Sequence, residues 1–345
     1  MKEKKDIRKE SLEEITNFLI EKGEKAYKAR QVHEWLWMKS ARDFDMMSNL
    51  SLATRTLLSE SYAIKQADIA VQQKSNDTTI KVGFRLYDGN MVEGVLIPSK
   101  DRITACISSQ VGCSLSCKFC ATGYMERKRN LDTAEIYDQV VLMRDLSEKE
   151  YGKPLSNIVY MGMGEPMLNY SNVMESVHHI TSEKGLGMSS KRITVSTAGI
   201  AKMIRRLGDD SVKFNLALSL HAANDEKRNK IMPINETNSL KILGEALHYF
   251  YSKTGNEVTF EYIIFNDFND SIEDAEELLA FCRKVPSKVN IIEYNPIREA
   301  DFKNAKAGRI DKFREFLERK GVNVRVRRSR GKDIDAACGQ LANKQ

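Results

Sequence analysis

The chain has 345 residues, with 54 Lys and Arg against 48 Asp and Glu and a formal net charge of +6. That length suits one large α/β domain plus a smaller unit, and a charge this modest does not by itself identify a polyanionic partner. No apolar run is long enough to span a bilayer, and the start, MKEKKDIRKE, has no apolar signal core behind it, so no membrane association and a cytoplasmic location are expected.

Residues 1–65 read as a small helical unit. Leu12, Ile15 and Leu19 follow a helical period, as do Val32, Trp35 and Leu36 within Arg30–Met38, and Ser51 is placed to cap a third helix carrying Leu57 and Leu58. Lys25, Lys28, Arg30 and Lys39 are interleaved with Tyr27, Trp35 and Trp37. Such interleaving can bind nucleic acid, although a Trp stripe at helical spacing is more often core.

Residues 66–98 change to a period of two and read as a β-hairpin extension. Ile80, Val82, Phe84 and Leu86 alternate with polar residues, Asp88-Gly89-Asn90 supplies a turn, and Met91–Ile97 returns. Pattern alone places Glu93 on the solvent face of that returning strand.

From residue 99 to residue 345 strands and helices alternate. The strands are expected at Ile103–Ser108, Ile158–Met161, Arg192–Thr197, Asn215–Leu220, Val258–Ile264, Val289–Tyr294 and Val322–Val326. Helical patterns lie between them at Glu135–Leu146 behind an Asp132-x-x-Glu135 capping box, Val173–Ile180, Leu240–Phe250, Ser271–Phe281 and Ile310–Leu317. Continuous apolar strands with helical crossovers predict a parallel sheet, and roughly six units are too few for an eight-fold barrel, so the fold class is α/β with a partial (β/α)6-type barrel.

The chemistry concentrates at strand ends, where ligands bind in such sheets. Cys113-Ser-Leu-Ser-Cys117-Lys-Phe-Cys120 follows the first barrel strand with C-x3-C-x2-C spacing and no nearby fourth thiol or histidine. Soft thiolates at this spacing suit zinc or an iron–sulfur cluster; a structural zinc site wants four ligands, whereas three on a cubane leave one iron open. Further strand ends carry Met161-Gly-Met-Gly164-Glu165-Pro166, Ser196-Thr197-Ala198-Gly199, Ser219-Leu220-His221 and Tyr294-Asn295-Pro296. Without context His221 reads more readily as a core histidine, and the Gly162–Glu165 run as an ordinary turn. Cys282 reads as an inert thiol on an apolar helix face. Cys106 ends the first barrel strand and Cys338 sits in a small-residue loop after the last, so both are expected at the barrel mouth, where two thiols able to approach permit reversible disulfide chemistry. Arg127-Lys128-Arg129 and Arg325, Arg327, Arg328, Arg330 and Lys332 bracket that mouth, which favours a phosphate-rich substrate.

Taken together, Cys106-Ile-Ser-Ser-Gln-Val-Gly-Cys113 with the cysteine run, Gly162-Met-Gly-Glu165-Pro166, Ser219-Leu-His221 and Asp333-Ile-Asp-Ala-Ala-Cys338-Gly-Gln340 resemble the radical S-adenosylmethionine (SAM) enzymes of the RlmN type, the dual-specificity adenine-C2 methyltransferases of 23S rRNA and tRNA. The resemblance covers nearly the whole chain, since Tyr27-Lys-Ala-Arg30-Gln-Val-His-Glu-Trp35 is also similar to that family's RNA-binding helical domain. Pro166 after Glu165 looks more like the C2 enzymes than the related Cfr-type C8 methyltransferases, which are the alternative, together with a non-catalytic iron–sulfur protein that only binds RNA. The resemblance implies a [4Fe–4S] cluster on Cys113, Cys117 and Cys120, and two SAM molecules per turnover. It implies SAM contacts from Gly164, Glu165, Ser196, Ser219, Leu220, His221 and Asn295. Cys338 would carry the methyl group as S-methylcysteine, Cys106 would resolve the adduct through a transient disulfide, and Glu93 would accept a proton, against its reading from pattern. The partners implied are 23S rRNA, tRNA and an electron donor such as flavodoxin or ferredoxin, with no second subunit required.

Overall fold

The computed structural model describes residues 4–343. A short parallel pair, β1 (Lys5–Asp6) and β2 (Tyr62–Ala63), closes the first unit around α1 (Leu12–Glu21), α2 (Tyr27–Trp37) and α3 (Leu52–Ser61). Ser11 and Glu14 form a reciprocal capping box that starts α1, and Ser51 caps α3. The two tryptophans of α2 part company. Trp37 is buried and stacks on His179 with centroids 3.6 Å apart, whereas Trp35 is partly exposed beneath the Lys39 ammonium, 4.3 Å from its ring. The unit docks on the rest of the molecule through buried Arg8, which donates to Asp138 at 2.6 Å, to Asp6 and to the Lys65 carbonyl.

The next strands, β3 (Asp68–Lys74), β4 (Ile80–Arg85) and β5 (Met91–Pro98), form an antiparallel meander, one strand longer than a simple hairpin. β5 pairs antiparallel with β6 (Ile103–Cys106), so the meander continues the barrel sheet instead of standing apart from it. After β6 the short ladder β7 (Gln110–Val111) with β8 (Arg129–Asn130) encloses the cysteine loop. Then α4 (Thr133–Tyr151), β9 (Asn157–Tyr160), α5 (Tyr170–Thr181), β10 (Ile193–Thr197), α6 (Ala201–Asp209), β11 (Asn215–Ser219), α7 (Asp225–Ile231), α8 (Leu240–Thr254), β12 (Val258–Ile264), α9 (Ile272–Cys282), β13 (Ser287–Glu293), α10 (Ala307–Arg319) and β14 (Asn323–Arg327) follow. The sheet order β14-β13-β12-β11-β10-β9-β6-β5-β4-β3 is parallel from β14 to β6. This is the partial α/β barrel expected from the strand–helix alternation.

Every residue of β12 is buried, as a parallel strand covered on both faces requires, and each large apolar side chain there contributes about 1.5–3 kcal/mol. Two helices escape the sequence reading. α6 carries an apolar stripe, its buried Ala201, Ile204, Leu207 and Gly208 recurring at helical spacing within only 9 residues, whereas α7 buries only Arg228 and Ile231 and shows none. Among the described residues no helix is long and apolar enough to cross a membrane.

Candidate active site

The cysteine loop is shaped by its own backbone. Cys120 donates its N–H to the Cys117 carbonyl at 3.2 Å and Gly123 to that of Cys120 at 2.8 Å. A Cβ at Gly123 would stand 2.7 Å from the Cys117 carbonyl oxygen, so only glycine allows this curl. Cys113, Cys117 and Cys120 thereby line one cavity of about 930 Å³, its open mouth included. Burial pushes all three thiols up, Cys113 to about 11, and the neighbouring thiols add to this at Cys117. Thiols packed this way need positive charge from a metal to become thiolates. Among the described residues no three His, Cys, Asp or Glu side chains converge on one ion. Three soft donors spread along a cavity with free volume beside them fit an iron–sulfur cluster with one open position.

Strand ends supply the rest of that cavity. Gly164 follows β9 at φ +95°, where an added Cβ would lie 2.5 Å from that of Gln110. Glu165 is buried and its carboxylate accepts the N–H of Met167 at 3.0 Å and of Ala198 at 2.8 Å, which ties the β9 end to the β10 end. Burial raises its pKa and these N–H groups oppose the rise. Ser196 of β10 and Ser219 of β11 bring their hydroxyl oxygens to 3.5 Å. His221, at φ +56°, accepts the Ile263 N–H on Nδ1 at 3.1 Å. Burial, with the Arg228 charge adding, lowers its pKa to about 3, so the ring is neutral with its proton on Nε2. Fully buried Arg228 donates to the carbonyls of Leu220 at 3.0 Å, Ala198 at 2.6 Å and Ser219 at 3.1 Å, pinning two strand-end loops together.

The loop that carries Cys338 is stitched across the same mouth. The Gly339 carbonyl accepts the Ala121 N–H at 2.7 Å, the Thr122 hydroxyl donates to the Leu341 carbonyl at 2.6 Å, and Asn295 donates to the Cys338 carbonyl at 3.2 Å. The Asp333 carboxylate accepts from the Ser75 hydroxyl and the Asn76 N–H in the β3–β4 turn. Cys338 therefore sits where the first cavity meets a second, of about 770 Å³, lined also by Cys106, Cys120, Arg327 and Arg330. Its exposed surface faces these cavities, and burial among the surrounding atoms still pushes its pKa up. Burial, with Cys338 adding, pushes the Cys106 thiol up to about 12.

The first cavity thus gathers the three loop cysteines, Gly164, Glu165, Ser196, Ser219, His221 and Cys338. Three other expected site residues are absent from the lining of either cavity. Leu220 packs into the core and donates its N–H to the Glu261 backbone carbonyl, and Asn295 turns to the Cys338 carbonyl with its own Oδ1 buried and unpartnered. Glu93 is buried, not on a solvent face, and its carboxylate accepts the N–H groups of Ala342 and Asn343. Cys282 is partly buried against the core, away from the mouth. Sequence reasoning missed Arg228, within an otherwise polar stretch, and Glu261, a lone carboxylate in an apolar strand whose conflict with its neighbours was the available signal.

Residues 6–64 match the family described as ribosomal RNA large subunit methyltransferase N-terminal domain, and residues 107–282 match the radical SAM superfamily. A probable dual-specificity RNA methyltransferase RlmN from Cytophaga hutchinsonii is 62% identical over 99% of this chain and 94% of its own length. Its counterpart from Christiangramia forsetii is 54% identical over 99% and 97%. The crystal structure of a radical SAM methyltransferase from Sphaerobacter thermophilus superposes with a TM-score of 0.92 at 38% identity, covering 99% of this chain and 100% of that one.

Proposed function

The chain belongs to the RlmN family of radical SAM RNA methyltransferases, and from that premise we propose that it methylates C2 of adenosine in 23S rRNA and in tRNA. The observation that carries this reading is the meeting of Cys106 and Cys338 in one cavity directly beside the three-cysteine loop.

Cys113, Cys117 and Cys120 would hold a [4Fe–4S] cluster, which when bound supplies the electron for reductive SAM cleavage. Adenine C2 is not nucleophilic, so the methyl group needs a carrier on the protein. Cys338 is that carrier: it takes the methyl group of one SAM, and a second SAM is consumed in activating it, giving two per turnover. The target base enters the second cavity, between Cys338 and Cys106. The activated S-methyl carbon of Cys338 bonds to C2, giving a thioether-linked adduct. Cys106, as a thiolate, then attacks the Cys338 sulfur: the sulfur–sulfur bond forms as the carbon–sulfur bond breaks, and the electron pair stays on the product carbon, which takes a proton to become the methyl group. The resulting disulfide is returned to two thiols by a thiol reductant before the next turnover. Glu93 accepts the C2 proton, which requires the tail over its carboxylate to move aside. Gly164 and Leu220 contact SAM through backbone, and Glu165, Ser196, Ser219, His221 and Asn295 through polar side-chain atoms.

Residues 1–65 serve as the RNA-binding accessory domain and 66–98 as an extension of the catalytic core at 99–345. A flavodoxin or ferredoxin is the electron donor, and the enzyme works as a cytoplasmic monomer. Mass spectrometry of nuclease-digested RNA from cells with and without the protein tests the reading. Loss of 2-methyladenosine is expected; loss of 8-methyladenosine would assign the Cfr-type reaction instead.

A further inference from the structure

Arg327 closes β14 beside Ile292 of β13, and it alone of the terminal arginines lines both cavities. Arg328 pairs with Glu293, and Arg330 reaches the Asp77 carboxylate at 3.9 Å. Arg327 is instead held from inside the barrel: its Nη1 lies 3.6 Å from Oε1 of Glu261, an oxygen that also accepts from Asn290 at 2.8 Å. Glu261 sits at the register position of Ser219 on one side and Asn290 on the other, so its place is fixed by the sheet. Its remaining oxygen is buried without a partner. The guanidinium is thus paired with a buried carboxylate and lines the same cavity as the Cys106 and Cys338 thiols, and its charge acts on both.

We propose that Arg327, positioned by Glu261, is the counter-charge of the two thiols and readies Cys338 to accept the methyl group. It is not one of the phosphate contacts suggested by its place in a basic run. The proposal rests on the reading of Cys338 as methyl carrier. In that step the Cys338 thiol gives its proton to solvent. The sulfur forms a bond to the SAM methyl carbon as the methyl–sulfonium bond breaks, and that bond's electron pair stays on the departing S-adenosylhomocysteine. An anion and a cation become two neutral thioethers, with no change in oxidation state. A nearby cation raises the thiolate fraction and lowers its intrinsic nucleophilicity by about half as much on a logarithmic scale, so the gain wins while the thiol is mostly protonated. Glu261 and Cys120, which line the same cavity, push the Cys338 thiol the other way, so the Arg327 charge is what offsets them.

The test uses anaerobically purified holoenzyme as wild type, R327Q and R327K. Three quantities are measured: S-methylation of Cys338 by SAM without reductant or RNA, followed by peptide mass spectrometry; iodoacetamide alkylation of Cys338 at one neutral pH; and affinity for a short RNA hairpin with an unpaired adenosine at two salt concentrations. A hundredfold loss of thiolate reads as roughly a tenfold slower methylation and alkylation in R327Q, with R327K near wild type and RNA affinity unchanged. Wild-type rates with weakened, less salt-dependent RNA binding would overturn the proposal and restore the phosphate role. Should R327Q not fold, R327M at similar volume decides the same comparison. A wild-type enzyme that never methylates Cys338 would sink the carrier reading, while the alkylation rates would still judge Arg327.

Discussion

Glu93 and Ala342 meet across 249 residues of chain, the buried carboxylate accepting the Ala342 N–H at 2.9 Å. The Asn343 N–H reaches the same oxygen at 3.1 Å, and the Lys81 ammonium lies 3.7 Å from the other. One carboxylate therefore fastens the tail that follows Cys338, and hydrogen bonds to a charged group of this kind are worth about 1.5–3 kcal/mol each.

Two substitutions at Glu93 should separate anchoring from proton transfer. Glu93→Gln keeps an oxygen acceptor for the tail but no basic carboxylate. It should retain protease resistance of the C-terminal segment and S-methylation of Cys338, yet lose RNA methylation. Glu93→Ala should lose all three. RNA methylation by Glu93→Gln at the wild-type rate would leave Glu93 as a tail anchor only.

The three loop cysteines make the simplest test of the metal centre. Anaerobically purified protein should be brown and hold about four irons per chain. Changing any one of Cys113, Cys117 or Cys120 to Ala should remove the colour and the formation of 5′-deoxyadenosine from SAM. A zinc-loaded protein that still methylated RNA would contradict the assignment.

The barrel strands are legible because parallel strands covered on both faces must be apolar along their length, as Val258–Ile264 is, and the cysteine loop because the thiol spacing is intrinsic to the chain. Glu93 is not legible from alternation. Period two assigns it to a face of β5, but what covers that face is a tail contributed at the far end of the chain. Arg327 fails for the same reason: a basic run looks like a solvated face until buried Glu261, on a different strand, is seen to pair with one member at the cavity lining. α7 shows the limit of helical periodicity, since its principal buried side chain is an arginine satisfied by three strand-end carbonyls.

The docking of the N-terminal unit should weaken in acid. His179 of α5 is buried and stacked on Trp37 of α2, with His33 and His178 rings 5.9 and 5.6 Å away. Burial, with His33 and His178 adding, lowers its pKa to about 3. In the unfolded chain it titrates near ~6.5, so below that pH the unfolded state binds the extra proton. Its contribution to stability is present above that pH and is lost as pH falls towards 3. Urea unfolding at pH 7.5 and 5.0 should show the wild type losing stability and His179→Phe losing less. Part of the slope should persist, because His221 is buried neutral in the same way. An identical pH dependence in the two proteins would remove His179 from this account.

The two thiols that share the second cavity have opposite places in the reaction sequence, and single substitutions should expose the order. Cys338→Ala removes the methyl carrier, so no covalent protein–RNA species should form. Cys106→Ala keeps the carrier and removes the thiol that resolves the adduct. That variant should accumulate a protein–RNA crosslink through a methylene on Cys338, seen as a gel shift that survives denaturation and disappears with nuclease. The double substitution should show no crosslink, which places Cys338 before Cys106. Because Cys106 is buried at the end of β6, its replacement by the smaller Ala could act through packing, so Cys106→Ser serves as the control that fills the site without a nucleophilic sulfur. Crosslinking by both variants assigns the effect to lost thiol chemistry. Normal turnover by either would return Cys106 to a packing residue at the strand end.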